Sequence, residues 1–196
     1  MNFLQKLKMN SLRKKVQRTH ELREQRNKNE DVQNEINAQI QLAEFYDKHH
    51  FDKKLPHAER YALECYRLNA ALGDAKSQYI CGQRLLEQGK FWGAWAHNPI
   101  YGASIHERYA NLFFEEAFSY LRAAESQDYP LAKRLLGLAH IHGWGVEPNT
   151  NQGFKLVLDS IELEKAWDRA TKILEELKLN SPAFFAALRS YQGSAS

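Results

Sequence analysis

Three stretches of this chain put a tiny residue at the same point of a helical pattern, and that recurrence limits the folds open to it. They read 38-AQIQLAEFY-46, 77-SQYICGQRL-85 and 132-AKRLLGLAH-140. Each opens on a small residue (Ala38, Ser77, Ala132). Four positions on stands Leu42, Cys81 or Leu136, followed at once by Ala43, Gly82 or Gly137, and three further by Tyr46, Leu85 or His140. Steps of four and three gather these side chains on one helical face. A residue with almost no side chain there lets a second helix approach at the short end of the usual interaxial range, about 8–10 Å.

A second pattern follows each first one: 62-ALECYRLNAALG-73, 117-AFSYLRAAESQD-128 and 153-GFKLVLDSIELE-164. Ala62, Ala117 and Gly153 open them; Cys65, Tyr120 and Leu156 come next on the face, then Tyr66, Leu121 and Val157. Each is an amphipathic helix too short to hold by itself in water, so a partner helix must complete its burial. Matching points at Asn34, Gly73, Asp128 and Glu164 lie 39, 55 and 36 residues apart. The period is therefore about three dozen residues, as in stacked helical repeats, with insertions in the first two units. Asp74 and Asp128 stand where the next helix should start and are expected as N-caps.

Strand signals are scarce, with no long alternation of Val, Ile and Thr with polar residues, so the chain is read as all-α. After Glu164 the repeat degrades. The stretch 165–179 reads as one helix, and Ser181-Pro182 is a strong start for another. Together they are expected to cap the stack. The organisation read from sequence is a basic helical arm over 1–33, repeats over 34–164 with an insertion at about 90–111, and a C-terminal cap with a short tail over 165–196.

At 43% hydrophobic residues the 196-residue chain has enough apolar content for a core. Its charge is unevenly spread. Met1 to His20 holds no acid but carries Lys6, Lys8, Arg13, Lys14, Lys15 and Arg18. Leu4, Leu7, Leu12 and Val16 give this arm a sparse apolar stripe. It has three possible uses: a solvated capping helix, a docking segment for a partner, or a contact for an anionic surface. With Phe3 as the one aromatic among the basic residues, a nucleic-acid stacking platform is disfavoured. Cys65 and Cys81 are read as reduced and buried, which fits a reducing compartment. With no apolar run of bilayer length and no secretory signal, a cytoplasmic location is expected, membrane association coming through a partner complex. An acid-free basic arm also has something of an organellar transit segment.

Chemistry-bearing motifs are missing. There is no G-x-S-x-G, no H-E-x-x-H, no paired C-x-x-C and no phosphate-binding loop. His49-His50 and the His140/His142 pair do not share a helix face, and His140 is expected to be a hydrogen-bonded core residue. Neither a metal nor any other cofactor is expected, nor a small-molecule substrate, and the chain is read as not an enzyme. The turn 143-GWGV-146 is read as a helix end closed by left-handed glycine.

In its third unit, Ala132, Leu136, Gly137, Gly143, Gly145, Val146 and Gly153 follow a spacing that resembles the Sel-one-like repeat, a relative of the tetratricopeptide repeat. The first two units match through their helices but lack G-x-G-V. The resemblance covers roughly residues 34–164. It implies an α-solenoid of about three antiparallel helix pairs, with a basic N-terminal helix and a C-terminal capping helix added here. First helices would line the inner surface. The family scaffolds multiprotein assemblies and has no shared active site, and its members include bacterial signalling, secretion and host-interaction proteins. The function so implied is a protein-protein interaction scaffold or adaptor. The alternatives are a structural subunit of a larger bacterial complex, such as a secretion system, and a peripheral module on anionic membrane or RNA.

On that reading the inner helix face offers Gln41, Glu44, Gln83, Arg84, Arg134 and Leu138 to a protein partner. The insertion adds Phe91, Trp92, Trp95, Tyr101 and Tyr109, with His97 and His106. Aromatic side chains bring large contact area to interfaces. They form either a projecting binding loop or a flap packed back on the repeats.

Overall fold

In a computed structural model, residues 1–26, 28–96, 103–179 and 181–194 are described, and all regular structure among them is helical. In chain order the elements are α1 (Phe3–Arg26), α2 (Asn29–Lys48), α3 (Ala58–Ala71), α4 (Ala75–Ala96), α5 (Ala103–Glu125), α6 (Pro130–His142), α7 (Thr150–Leu163), a 3-10 turn (Trp167–Arg169), α8 (Ala170–Glu176) and α9 (Pro182–Ser194). The chain divides into two compact units, Met1–Cys81 and Gly82–Ser196, with the boundary inside α4. Among the described residues no helix is long and apolar enough to cross a membrane.

The first unit packs α1 and α3 on α2. Its core gathers the face marked out by the first patterns: Ala38, Leu42, Ala43 and Tyr46 of α2, with Ala62, Cys65 and Tyr66 of α3. Asn69 is fully buried and donates from Nδ2 to the carbonyl of Ile36 (3.2 Å). In the second unit α6 packs on α7 and α5, and α9 on α7.

The tiny residues sit where helices meet closely, and two of them have equivalent surroundings. A Cβ built on Gly82 would stand 2.6 Å from Leu121 Cγ and 3.2 Å from the Ala117 carbonyl oxygen. One on Gly137 would stand 2.7 Å from the Gly153 carbonyl oxygen and 2.8 Å from Val157 Cγ2. Ala117 and Gly153 hold the same place in the second pattern, as do Leu121 and Val157. The second helices also end alike. After α3, α5 and α7 a residue with positive φ closes the helix: Gly73 (92°), Asp128 (56°) and Lys165 (51°). Each N–H bonds three residues back, and the next N–H bonds five residues back: Asp74 to Asn69, Tyr129 to Ala124 and Ala166 to Ile161. These are Schellman ends, and they fall within one residue of the matching points at Gly73, Asp128 and Glu164.

Asp74 is an N-cap, its Oδ2 accepting from the N–H of Ser77 (2.8 Å). Asp128 is not. It closes α5 in the left-handed region, and α6 begins at Pro130 with Tyr129 ahead of it and no side-chain cap. The 165–179 stretch is not one helix either. Lys165 ends α7, Ala166 turns inward and is buried, and the chain resumes as the 3-10 turn and α8. The Ser181 cap holds, with Oγ accepting from the N–H of Phe184 (3.2 Å). It starts α9, which delivers Phe184 fully buried against Phe154, edge to face at 4.9 Å.

Both glycines of 143-GWGV-146 have positive φ, 72° at Gly143 and 73° at Gly145. Gly145 has a second reason to be glycine. A Cβ there would fall 2.2 Å from the carbonyl oxygen of Phe114, so the turn lies against the α5 backbone.

Candidate protein-interaction surface

In the first unit the basic arm is a docked helix. Asn2 caps it and Gln5 reaches back, the two side chains exchanging hydrogen bonds with each other's backbone N–H. Of its apolar stripe, Leu12 and Val16 are half-buried while Leu4 and Leu7 face solvent; the one buried residue of α1 is Met9. Polar contacts fix the helix instead. Glu35 of α2, almost fully buried, accepts from Arg23 Nε and Gln39 Nε2 and meets His20 Nδ1 at 3.0 Å. The hydrogen bond that Arg23 donates to Glu35 raises the Arg23 pKa above its ordinary value. Arg13 Nε donates to Tyr46 Oη (2.8 Å), and Lys15 Nζ donates to Gln41 Oε1 (2.9 Å).

The six arm cations therefore split into two groups. Arg13 and Lys15 are committed to α2. Lys6, Lys8, Lys14 and Arg18 are exposed and make no ion pair among the described residues. Gln41 and Glu44 are exposed and line clefts between α1 and α2.

In the second unit two of the inner-face residues are spent on packing. Leu138 is buried in the core with Phe154, Val157 and Ile161. Arg134 donates to Ser160 Oγ (3.1 Å) and ion-pairs with Glu164, tying α6 to the end of α7. Neither faces outward as expected, because each points at the helix that follows. Gln83 and Arg84 are half-buried on α4.

The insertion was expected to be a projecting loop or a flap packed back on the repeats. Through Ala96 on one side and from Ala103 on the other it is helix, extending α4 and α5. Tyr101 and His97 lie outside the described residues. The aromatic side chains differ in their packing. Trp92 packs between the two helices, with ring centroids 5.5 Å from His106 and 5.2 Å from Tyr109. Phe91 and Trp95, one turn apart on α4, remain 57% and 37% exposed and touch edge to face at 6.0 Å. On α5, Ile105, Tyr109 and Leu112 form an exposed stripe at helical spacing.

Sequence reasoning missed a second aromatic group, formed around Trp144. Trp144 stacks on Phe114 (5.8 Å) and His142 (4.5 Å), and Lys90 Nζ sits 4.1 Å from its ring centroid. Desolvation there lowers the pKa of both Lys90 and His142, with the Lys90 charge adding to the effect on His142. His140 is half-buried, and its ring meets Phe118 edge-on at 5.6 Å. Its Nδ1 is buried without a hydrogen-bond partner, so the expected hydrogen bond is missing at that nitrogen. Nothing in the local pattern marks this group, because its members come from three helices and a turn. Cys65 and Cys81 are free thiols and buried as expected, and burial pushes Cys65 up to about 11. Among the described residues no three or more His, Cys, Asp or Glu side chains gather where a metal would be held.

Compared with known proteins, the chain matches no family model and no curated protein.

Proposed function

We propose that this chain is a non-enzymatic protein-interaction scaffold, built from helix pairs α2/α3, α4/α5 and α6/α7 that are copies of one antiparallel α-solenoid repeat of Sel-one-like type. The matched surroundings of Gly82 and Gly137, and the shared ends of α3, α5 and α7, support the repeat reading. One observation carries the function. The end of α4 and the first half of α5 display Phe91, Trp95, Ile105, Tyr109 and Leu112 to solvent. A self-contained helix pair gains nothing from exposed aromatic residues, whereas a partner helix or strand would bury them as interface anchors. The exposed end of α4 and start of α5 are the recognition element.

The test compares the full-length chain with a Phe91→Ser/Trp95→Ser variant. Partners recovered by affinity purification from the native cell are purified and titrated against both. Loss of the two anchors should weaken a true partner about thirtyfold or more, since interface hot spots contribute about 2 kcal/mol or more each. Unchanged affinity for every partner would refute the assignment of this surface.

A further inference from the structure

The first unit carries another surface, formed where the N-terminus of α1 meets the turn between α2 and α3. The Met1 ammonium is ion-paired with Asp52 of that turn, and Gln5 Nε2 lies 3.1 Å from His49 Nε2. These contacts hold two segments of unusual composition side by side. Residues 1–20 and 49–57 together hold eight Lys or Arg and one acid, Asp52, which the Met1 ammonium already neutralises.

Large apolar side chains project from the same two segments. Phe51 is 89% exposed, Phe3 74% and Leu4 73%. Phe3 and Leu7 are one turn apart on α1, with Leu4 beside them. Lys6, Lys53 and Lys54 flank these side chains, all three exposed. Between the segments lies a cleft of about 510 Å³ lined by Phe3, Lys6, Arg13, Lys54, Leu55 and Tyr61.

We propose that this end of the first unit is a docking surface for anionic phospholipid bilayers. Protruding Phe and Leu side chains ringed by lysines match the two layers such a surface offers. The apolar tips enter the boundary between headgroups and acyl chains, about 5–10 Å deep, while the ammonium groups stay among lipid phosphates. The aliphatic members distinguish this partner from nucleic acid. Leu4 and Leu7 have no ring to stack on a base, but they gain free energy on leaving water for hydrocarbon. The lysines are point charges on flexible stems, suited to a fluid layer of phosphates rather than to one fixed anion. Lys6, one of the four arm cations with no ion pair among the described residues, thereby has a use. This surface is independent of the aromatic end of α4 and α5.

The test floats the purified full-length chain with vesicles of phosphatidylcholine alone, and of phosphatidylcholine mixed with phosphatidylserine. The chain should float with the anionic vesicles only, and less as salt is raised. Phe51→Ser should lower the partition coefficient about tenfold. Lys53→Gln and Lys54→Gln should each lower it about fivefold. Phe51 is so exposed that its replacement should leave the circular dichroism spectrum unchanged, and partner binding through Phe91 and Trp95 should survive all three changes. Wild-type protein that stays off anionic vesicles, equal flotation on neutral ones, or undiminished flotation of a Leu4→Ser/Phe51→Ser variant would overturn the proposal. So would an RNA oligonucleotide bound in a salt-sensitive way by a chain that ignores the vesicles.

Discussion

Replacing Gly145 by Ala puts the turn after α6 under two separable strains. The first is backbone conformation: φ is 73°, and an L-residue held there costs about 1 kcal/mol relative to glycine. The second is contact. The new Cβ would stand 2.2 Å from the carbonyl oxygen of Phe114 and 2.5 Å from its carbon. Both are backbone atoms of α5 and cannot swing aside as a side-chain tip can. The turn or the helix must shift, with an overpacking cost of about 1–3 kcal/mol. The expected loss is therefore about 2–4 kcal/mol. Gly73 supplies the control. Its φ is 92°, but a Cβ there meets nothing within 4 Å, so Gly73→Ala should cost only the backbone part, about 1 kcal/mol. Urea unfolding followed by tryptophan fluorescence reads the Gly145 variant well, because Trp92, Trp95, Trp144 and Trp167 all belong to the second unit. Its midpoint should fall by about 1 M or more. Gly73→Ala is followed by far-ultraviolet circular dichroism. A Gly145→Ala loss no larger than that of Gly73→Ala would show that the turn does not press on α5 and would refute the reasoning.

Two further outcomes follow from shifted ionisations. Cys65 is pushed up to about 11 by burial and Cys81 is fully buried, so neither thiol should react with a disulfide reagent at pH 8 until urea unfolds the chain, when both should; prompt labelling of the native protein would contradict the packing of α3 and α4. His140 and His142 are both lowered by desolvation, so the folded chain binds fewer protons there than the unfolded one. Their stabilising contribution is complete above the unfolded value of about 6.5 and is lost as pH falls through the folded values, so the urea midpoint of the second unit should drop as pH falls below about 6.5. His140→Phe should flatten that drop, and an equally steep profile in the variant would remove His140 as a cause.

What the residues alone determined is everything that rests on near neighbours along the chain. The helical faces follow from steps of three and four, and so do the points of closest approach at Gly82 and Gly137. The caps at Asp74 and Ser181 and the left-handed glycines after α6 follow in the same way. The tertiary structure decided which face meets what. Arg134 and Leu138 look like surface positions in the repeat, yet they lie under the elements that follow α6. The described parts of the insertion, read as a projecting loop or a packed flap, are helix, and α4 and α5 meet there through Trp92 and Tyr109, a contact no local window contains. Asp128 has the composition of a helix start and serves as a helix end. The basic arm is docked through Glu35, a buried acid whose partners Arg23 and His20 come from another helix. Turn and helix signals act over a few residues and are written in order along the chain. Burial depends on pairings between distant segments, which only the folded chain brings together.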